Sequence, residues 1–135
     1  MNKKIIATLV AGFASIGIAH ADVTVISFGG ASQAGQAKAF YEPFTAESGI
    51  KVIPGEYNGE MAKIAAMVQA KNVTWDVVEV ESPELVRGCE EGLFEKLDYG
   101  RIGNKEDFVP EAVKTCGIGT FVWSTALAYN ADKLK

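Results

Sequence analysis

The run Val23-Thr24-Val25-Ile26-Ser27-Phe28-Gly29-Gly30 decides the fold. Four of its first six residues are apolar, three of them are β-branched valines or isoleucine, and two glycines stop it. A short, nearly continuous apolar run with that ending reads as a buried strand rather than an amphipathic one. The neighbouring segments repeat the scheme. Ser32 offers a helix N-cap, and Ala37, Phe40, Tyr41 and Phe44 recur at helical spacing until Gly49 closes the segment. Pro43 falls inside that pattern and predicts a kink or a break. Ile50 to Ile53 is a second strand, stopped by Pro54-Gly55. Asn58 or Gly59 caps a second helix whose Met61, Ile64, Ala65 and Val68 share one face. Trp75-Asp76-Val77-Val78-Glu79-Val80 is a third strand. Ser82-Pro83-Glu84 then supplies an N-cap, a proline at the first helical position and an acid in the first turn.

Strand and helix alternate three times, which implies an α/β fold with a mostly parallel sheet covered by helices on both faces. From Tyr99 to Gly119 the pattern is loose. Phe121 to Tyr129 reads as a last apolar strand, and Asn130-Ala131-Asp132 as a turn into a further helix. In such sheets ligands bind beyond the carboxyl ends of the strands. Attention therefore falls on the loop after Phe28, the loop after Val80 and the last strand.

The chain has 135 residues, 48% of them hydrophobic, enough for one domain with a core of its own. Its start has a separate logic. Asn2-Lys3-Lys4 is a basic head, Ile5 to Ile18 an uncharged run, and Ala19-His20-Ala21 an A-x-A exit. These are the three parts of a secretory signal, and the run is shorter than the ~20 apolar residues of a membrane span. Residues 1–21 are thus expected to be a cleaved signal peptide, with no cysteine near the cleavage point to carry a lipid. Residues 22–135 are expected to be a soluble periplasmic domain.

Cleavage removes His20, the only histidine. Of the 13 basic side chains, Lys3 and Lys4 also go, while none of the 17 acids does. The remaining acidic excess is a poor match to nucleic acid, whose binding depends on phosphate neutralisation. It suits cationic or neutral ligands better. Without histidine, a Ser-His or Cys-His nucleophile cannot be assembled, and two cysteines alone make an incomplete zinc set. No enzyme, metal or cofactor is expected. Cys89 and Cys116 are the only cysteines, and in an oxidising compartment an even pair reads as one disulfide. By chain entropy such a loop closure is worth about 3–4 kcal/mol. A thiol-dependent enzyme is the competing reading, and it requires those thiols to be free.

Three places are candidate contacts. Phe28-Gly29-Gly30-Ala31-Ser32-Gln33-Ala34-Gly35 joins a strand to a helix, so ligand can approach its backbone. Gly30 and Gly35 have a phosphate-loop separation, but Gln36-Ala37 stand where Lys-Ser/Thr would hold phosphate and metal, which excludes a nucleotide site. A tight turn is the alternative role for the glycines. Glu81 and Ser82 follow the third strand, and a helix cap or a solvated acid is their alternative. Trp123, Ser124, Thr125 and Tyr129 lie on the last strand, where alternation sends Trp123 and Thr125 to one face. Core packing is the alternative for the aromatics.

These pieces resemble bacterial extracellular solute-binding proteins of ABC importers. The similarity is carried by the signal peptide, the Gly-Gly strand loop, Ala39-Phe40-Tyr41-Glu42-Pro43-Phe44, Ser48-Gly49-Ile50-Lys51-Val52 and Trp75-Asp76-Val77-Val78. Gly92-Leu93-Phe94-Glu95-Lys96-Leu97-Asp98 and Val122-Trp123-Ser124-Thr125-Ala126-Leu127-Ala128-Tyr129-Asn130 look like the spermidine/putrescine-binding branch. The resemblance implies a two-lobed type II periplasmic-binding-protein fold, of which residues 22–135 would be the first lobe. It also implies a polyamine or a related small polar solute as ligand, an inner-membrane ABC permease as partner, no catalysis and a monomer. Phe28, Gly29 and Gly30 fall where polyamine binders carry an aromatic, a serine and an acid, so only the aromatic is kept in kind. Glu81, Ser82, Trp123 and Thr125 fall on the same side. Because that family's full length is more than twice this one, the second lobe is expected to be absent. An exported, nonfunctional fragment of such a protein is the alternative expectation.

Overall fold

The computed structural model describes residues 21–133. The signal-peptide expectation falls, except for Ala21, outside the described residues. Three strands form one sheet: β1 (Val23–Ser27), β2 (Val52–Glu56) and β3 (Val77–Val78), in the order β2-β1-β3 and all parallel. β1 is therefore central, and the chain crosses from one of its sides to the other between β2 and β3.

The register divides the side chains between two faces. Val23 aligns with Val52, Val25 with Pro54 and Val77, and Ile26 with Gly55 and Val78. Period-2 alternation puts Val23, Val25, Val52 and Pro54 on one face. A helical run covers it: α1 (Gly30–Gln36), a π turn over Ala37–Tyr41, and α2 (Glu42–Ser48). Ala37, Tyr41 and Thr45 of that run share an open groove with Val52 and Pro54. Ile26 and Val78 point to the other face, where α3 (Met61–Gln69) lies. There Ile26, Tyr57, Met61 and Ile64 are buried together, ringed by Met67, Trp75, Val78, Val80, Leu93 and Phe94. Helices on both faces match the α/β class expected from the alternation.

The first helix departs from its reading in two places. It begins at Gly30, not after Ser32, because Gly29 at φ 78° turns the chain directly out of β1 with no side-chain cap. The break expected at Pro43 comes just before it, as a change of register: α1 ends at Gln36, and α2 restarts at Glu42 with Pro43 in its first turn. The chain widens into the π turn just before the proline, with the Glu42 N–H reaching back to the Ala37 carbonyl, so the residue that cannot donate meets a relaxed register.

β2 also differs from its reading. It runs through Pro54-Gly55 to Glu56 instead of stopping there. Val23 N–H donates to the Lys51 carbonyl (2.9 Å), and Tyr57 N–H donates to the Ser27 carbonyl (3.1 Å). Alternation between those odd-numbered partners turns the Pro54 nitrogen to the open edge, where no bond is owed. Gly55 is needed for space, since a Cβ there would run into the Ile26 side chain.

α4 (Ser82–Glu90) starts one residue early, with Glu81 at the N-cap position and Ser82 inside the helix. Its far end is tied down. Cys89 is disulfide-bonded to Cys116 with Cα atoms 5.8 Å apart, a usual Cα separation for a disulfide. Val113 bridges Ile118. Tyr99, buried at the start of α5 (Tyr99–Ile102), has its hydroxyl 2.9 and 3.1 Å from the carbonyls of Lys114 and Gly117 and accepts the Lys114 N–H at 3.1 Å. Gly117 lies so close to Leu85 of α4 that a Cβ would be 2.8 Å from its nearest atom. The disulfide ties this loop to α4, and the tyrosine ties it to α5.

The expected last strand is absent. Phe121–Tyr129 carries no sheet ladder and is exposed throughout, with Val122 at 96% and Leu127 at 92% exposure. β-propensity supplies the side chains for a strand, but a strand also needs a neighbour to bond, and none lies beside this segment among the described residues. Nor is any described helix long and apolar enough to cross a membrane.

Candidate functional site

Each strand delivers one residue to the same rim. Phe28 directly follows β1, Tyr57 directly follows β2, and the chain beyond β3 reaches Glu81 and then Glu84 in the first turn of α4. With Asn58 and Gly59 these residues line a recess of about 200 Å³. It sits at the carboxyl ends of parallel strands, where the order switches from β2 to β3 across β1. That is where open α/β sheets bind their ligands.

The floor is aromatic. Phe28 and Tyr57 stack with ring centroids 5.4 Å apart, and Tyr57 meets Trp75 edge-on at 5.7 Å. Lys63 places its Nζ 4.6 Å from the centroid of the Trp75 ring, behind the recess rather than in it. Tyr57 is 5% exposed, and its hydroxyl donates to the Glu79 carbonyl at 2.6 Å, as a buried phenol requires. Phe28 is 43% exposed, so its ring offers an open face.

The walls are acidic. Glu81 and Glu84 line the recess, and among the described residues no lysine or arginine does. Burial, followed by the negative charges of Glu84, Glu79, Glu60 and Glu81, pushes the Tyr57 phenol up to about 12. Glu84 Oε2 is buried and has no hydrogen-bond partner. Glu79 has one such oxygen as well, but its other one accepts from Gln36 Nε2 at 3.2 Å, and it stands outside the recess. Glu60 accepts the Asn58 N–H at 3.0 Å, which holds its carboxyl below the usual range and fixes the turn at the mouth.

Two sequence-chosen residues, Phe28 and Glu81, come together in the recess. Gly29 and Gly30 make the turn behind Phe28, at φ 78° and 64°. A Cβ on Gly29 would lie 2.6 Å from the Glu56 carboxyl carbon, so glycine leaves room for that acid. Ser82 is exposed in the first turn of α4, and Trp123 and Thr125 lie on the exposed segment without regular structure; none of the three lines the recess. Tyr57, Asn58, Gly59 and Glu84 were missed. For Tyr57, Asn58 and Gly59 the signal is the end of β2, which falls at Glu56 and not at Ile53; Glu84 reads as an ordinary first-turn acid of α4. A larger groove of about 410 Å³ beside Tyr41 and Pro54 is open and lies away from the strand ends. No group of three or more His, Cys, Asp or Glu among the described residues is arranged to hold a metal ion.

The model of the bacterial extracellular solute-binding proteins matches residues 39–135. The chain belongs to that family. Its relatives include the gamma-aminobutyric acid-binding protein of Pseudomonas aeruginosa PAO1, 57% identical over 83% of this chain and 32% of that protein. The putrescine-binding periplasmic protein SpuD of P. aeruginosa UCBPP-PA14 is 27% identical over 70% of this chain and 28% of its own length. Among solved structures, the Atu4243 GABA receptor superposes with a TM-score of 0.65 and 37% identity, over 70% of this chain and 29% of that one. The chain thus spans about a third of the length of the curated relatives it matches. Those relatives are binding proteins by name, and the family is extracellular.

Proposed function

We propose that residues 22–135 form the first lobe of the periplasmic substrate-binding component of an ABC importer. The reading has it exported by the signal at residues 1–21, holding a small amine-bearing solute without turnover, and docking to an inner-membrane permease. The observation that carries it is the recess at the strand ends, with an aromatic floor from Phe28 and Tyr57, carboxylates from Glu81 and Glu84, and, among the described residues, no basic one in its lining. An aromatic face and fixed carboxylates are the chemistry that recognises an ammonium group.

The relatives' names give the reading its substrate class. Gamma-aminobutyric acid and putrescine each present a primary ammonium on a short alkyl chain. Phe28 and Glu81 are assigned as ligand contacts. Gly29 and Gly30 set the turn behind Phe28, and Ser82 stands in the first turn of α4 outside the recess. A catalytic role is given to no residue, and Cys89 and Cys116, bonded to each other, leave a thiol mechanism without its nucleophile.

Calorimetric titration of the intact protein with 4-aminobutyrate, putrescine and related amino acids tests this. The expected result is saturable one-to-one binding to at least one of them, with the solute recovered unchanged. Heats no larger than dilution for every solute would contradict it.

A further inference from the structure

Ser27 is the most deeply buried polar side chain among the described residues, at 1% exposure. A buried hydroxyl needs partners, and its oxygen has two: the Gly29 N–H at 3.3 Å and the Gln33 side-chain amide, whose Nε2 lies at 3.0 Å. The same Nε2 donates to the Gly55 carbonyl at 2.8 Å. An amide nitrogen carries two hydrogens, so both are used. The Gly55 carbonyl can only accept, so the nitrogen of the amide, not its oxygen, must face it. One half-buried glutamine in the first turn of α1 thus clips the end of β1 to the next-to-last residue of β2.

The two aromatic residues of the recess floor hang on this clip. Phe28 lies between Ser27 and Gly29, so the bond from the Gly29 N–H to the Ser27 hydroxyl closes over its backbone. The Tyr57 N–H donates to the Ser27 carbonyl at 3.1 Å, two residues beyond Gly55. The turn needs such support. Gly29 and Gly30 follow at φ 78° and 64°, and glycine holds its backbone less firmly than any other residue. The Phe28 ring stacks on Tyr57 at 5.4 Å, yet it is 43% exposed and has no other ring partner. Neither Ser27 nor Gln33 lines the recess.

We infer that Ser27 and Gln33 are positioning residues of the solute site: they touch no solute, and they act by holding the Phe28 ring against Tyr57 before solute arrives. A ring ordered in advance lowers the cost of binding. The inference rests on the proposed transport function and deepens it.

Gln33→Met tests it in the intact protein. Methionine keeps the length and helix propensity of glutamine and removes both donors. Affinity is read by calorimetry with whichever of 4-aminobutyrate and putrescine binds, and is expected to fall roughly 3- to 10-fold. In a Phe28→Leu background the same substitution is expected to cost less than about twofold, because the residue it acts through has gone. In the solute-free protein the NMR signals of the Phe28 and Tyr57 rings should shift, while those of Tyr99, held by the carbonyls of Lys114 and Gly117, should stay. Ser48→Ala is the control. It removes a hydroxyl bonded to the Phe44 carbonyl at 2.6 Å, at the end of α2, and is expected to leave affinity unchanged. An equal loss in both backgrounds, or a Phe28 ring signal unmoved by Gln33→Met, overturns the assignment while leaving solute binding intact. Should Gln33→Met fail to fold, Ser27→Ala, which removes the hydroxyl and keeps the bond from Gln33 to Gly55, is read in the same way. If the unsubstituted protein binds neither solute, the transport reading falls and takes this assignment with it.

Discussion

Val23–Phe28 and Phe121–Tyr129 read almost alike as sequence, and the molecule treats them in opposite ways. The first run is the central strand, paired on both sides, with Ile26 only 4% exposed. The second has no regular structure and no sheet pairing, with Val122 and Leu127 almost fully exposed. The two runs share β-branched and aromatic residues, and both end in polar or glycine punctuation. What separates them is the neighbour. β1 has β2 and β3 to take its backbone bonds and α3 to bury its side chain at Ile26. Apolar patterning marks which side chains would gain from burial; it does not supply the surface that buries them.

The largest test of that contrast is Ile26→Ala. It empties the centre of the cluster formed with Tyr57, Met61 and Ile64, and should cost about 2–5 kcal/mol of unfolding free energy in urea melts. A loss below about 1 kcal/mol would break the comparison, since β1 would then be no better packed than the exposed run.

Tyr57→Phe has a smaller effect with a second signature. It removes the 2.6 Å bond to the Glu79 carbonyl and should cost about 0.5–1.5 kcal/mol at neutral pH. Burial raises the phenol's folded pKa above the ordinary value of 10.0 to about 12. The neutral phenol is therefore favoured by the fold, and that contribution is complete below about pH 10 and lost as pH rises toward about 12. Melts across that window should show the parent losing its advantage over Tyr57→Phe. A constant difference up to about pH 12 would mean that the phenol is not held as described.

Leu127→Ala is the smallest. At 92% exposure the change should stay within about 0.5 kcal/mol. A loss of several kcal/mol would show that the run is packed after all, and would erase the contrast.

The order of strands and helices was readable because glycine, proline and serine punctuate it. Gly29-Gly30 end β1 and Ser82-Pro83-Glu84 begin α4 within a residue of their sequence positions. The recess was half readable. Phe28 directly follows β1, whose end falls one residue from its reading; Glu81 lies beyond β3, which covers only Val77–Val78 of the expected Trp75 to Val80. Tyr57 and Glu84 were not found, each for a physical reason. Pro54-Gly55 looked like a stop because a proline in a central strand would be one, but β2 is an edge strand and carries it. Had the strand been extended to Glu56, Tyr57 would have fallen on the rim with Phe28. Glu84 looked like a dipole partner for α4, a role it fills, and only its buried, unpaired oxygen distinguishes it from an ordinary first-turn acid.

The central claim is that solute binds at the ends of β1, β2 and β3 rather than along the exposed run. Backbone amide NMR of the intact protein, titrated with 4-aminobutyrate, tests it most directly. The account predicts saturable shifts at Phe28, Tyr57, Asn58, Gly59, Glu81 and Glu84, with Phe121–Tyr129 unmoved. Shifts centred on Trp123 to Thr125 with those six amides silent would contradict it.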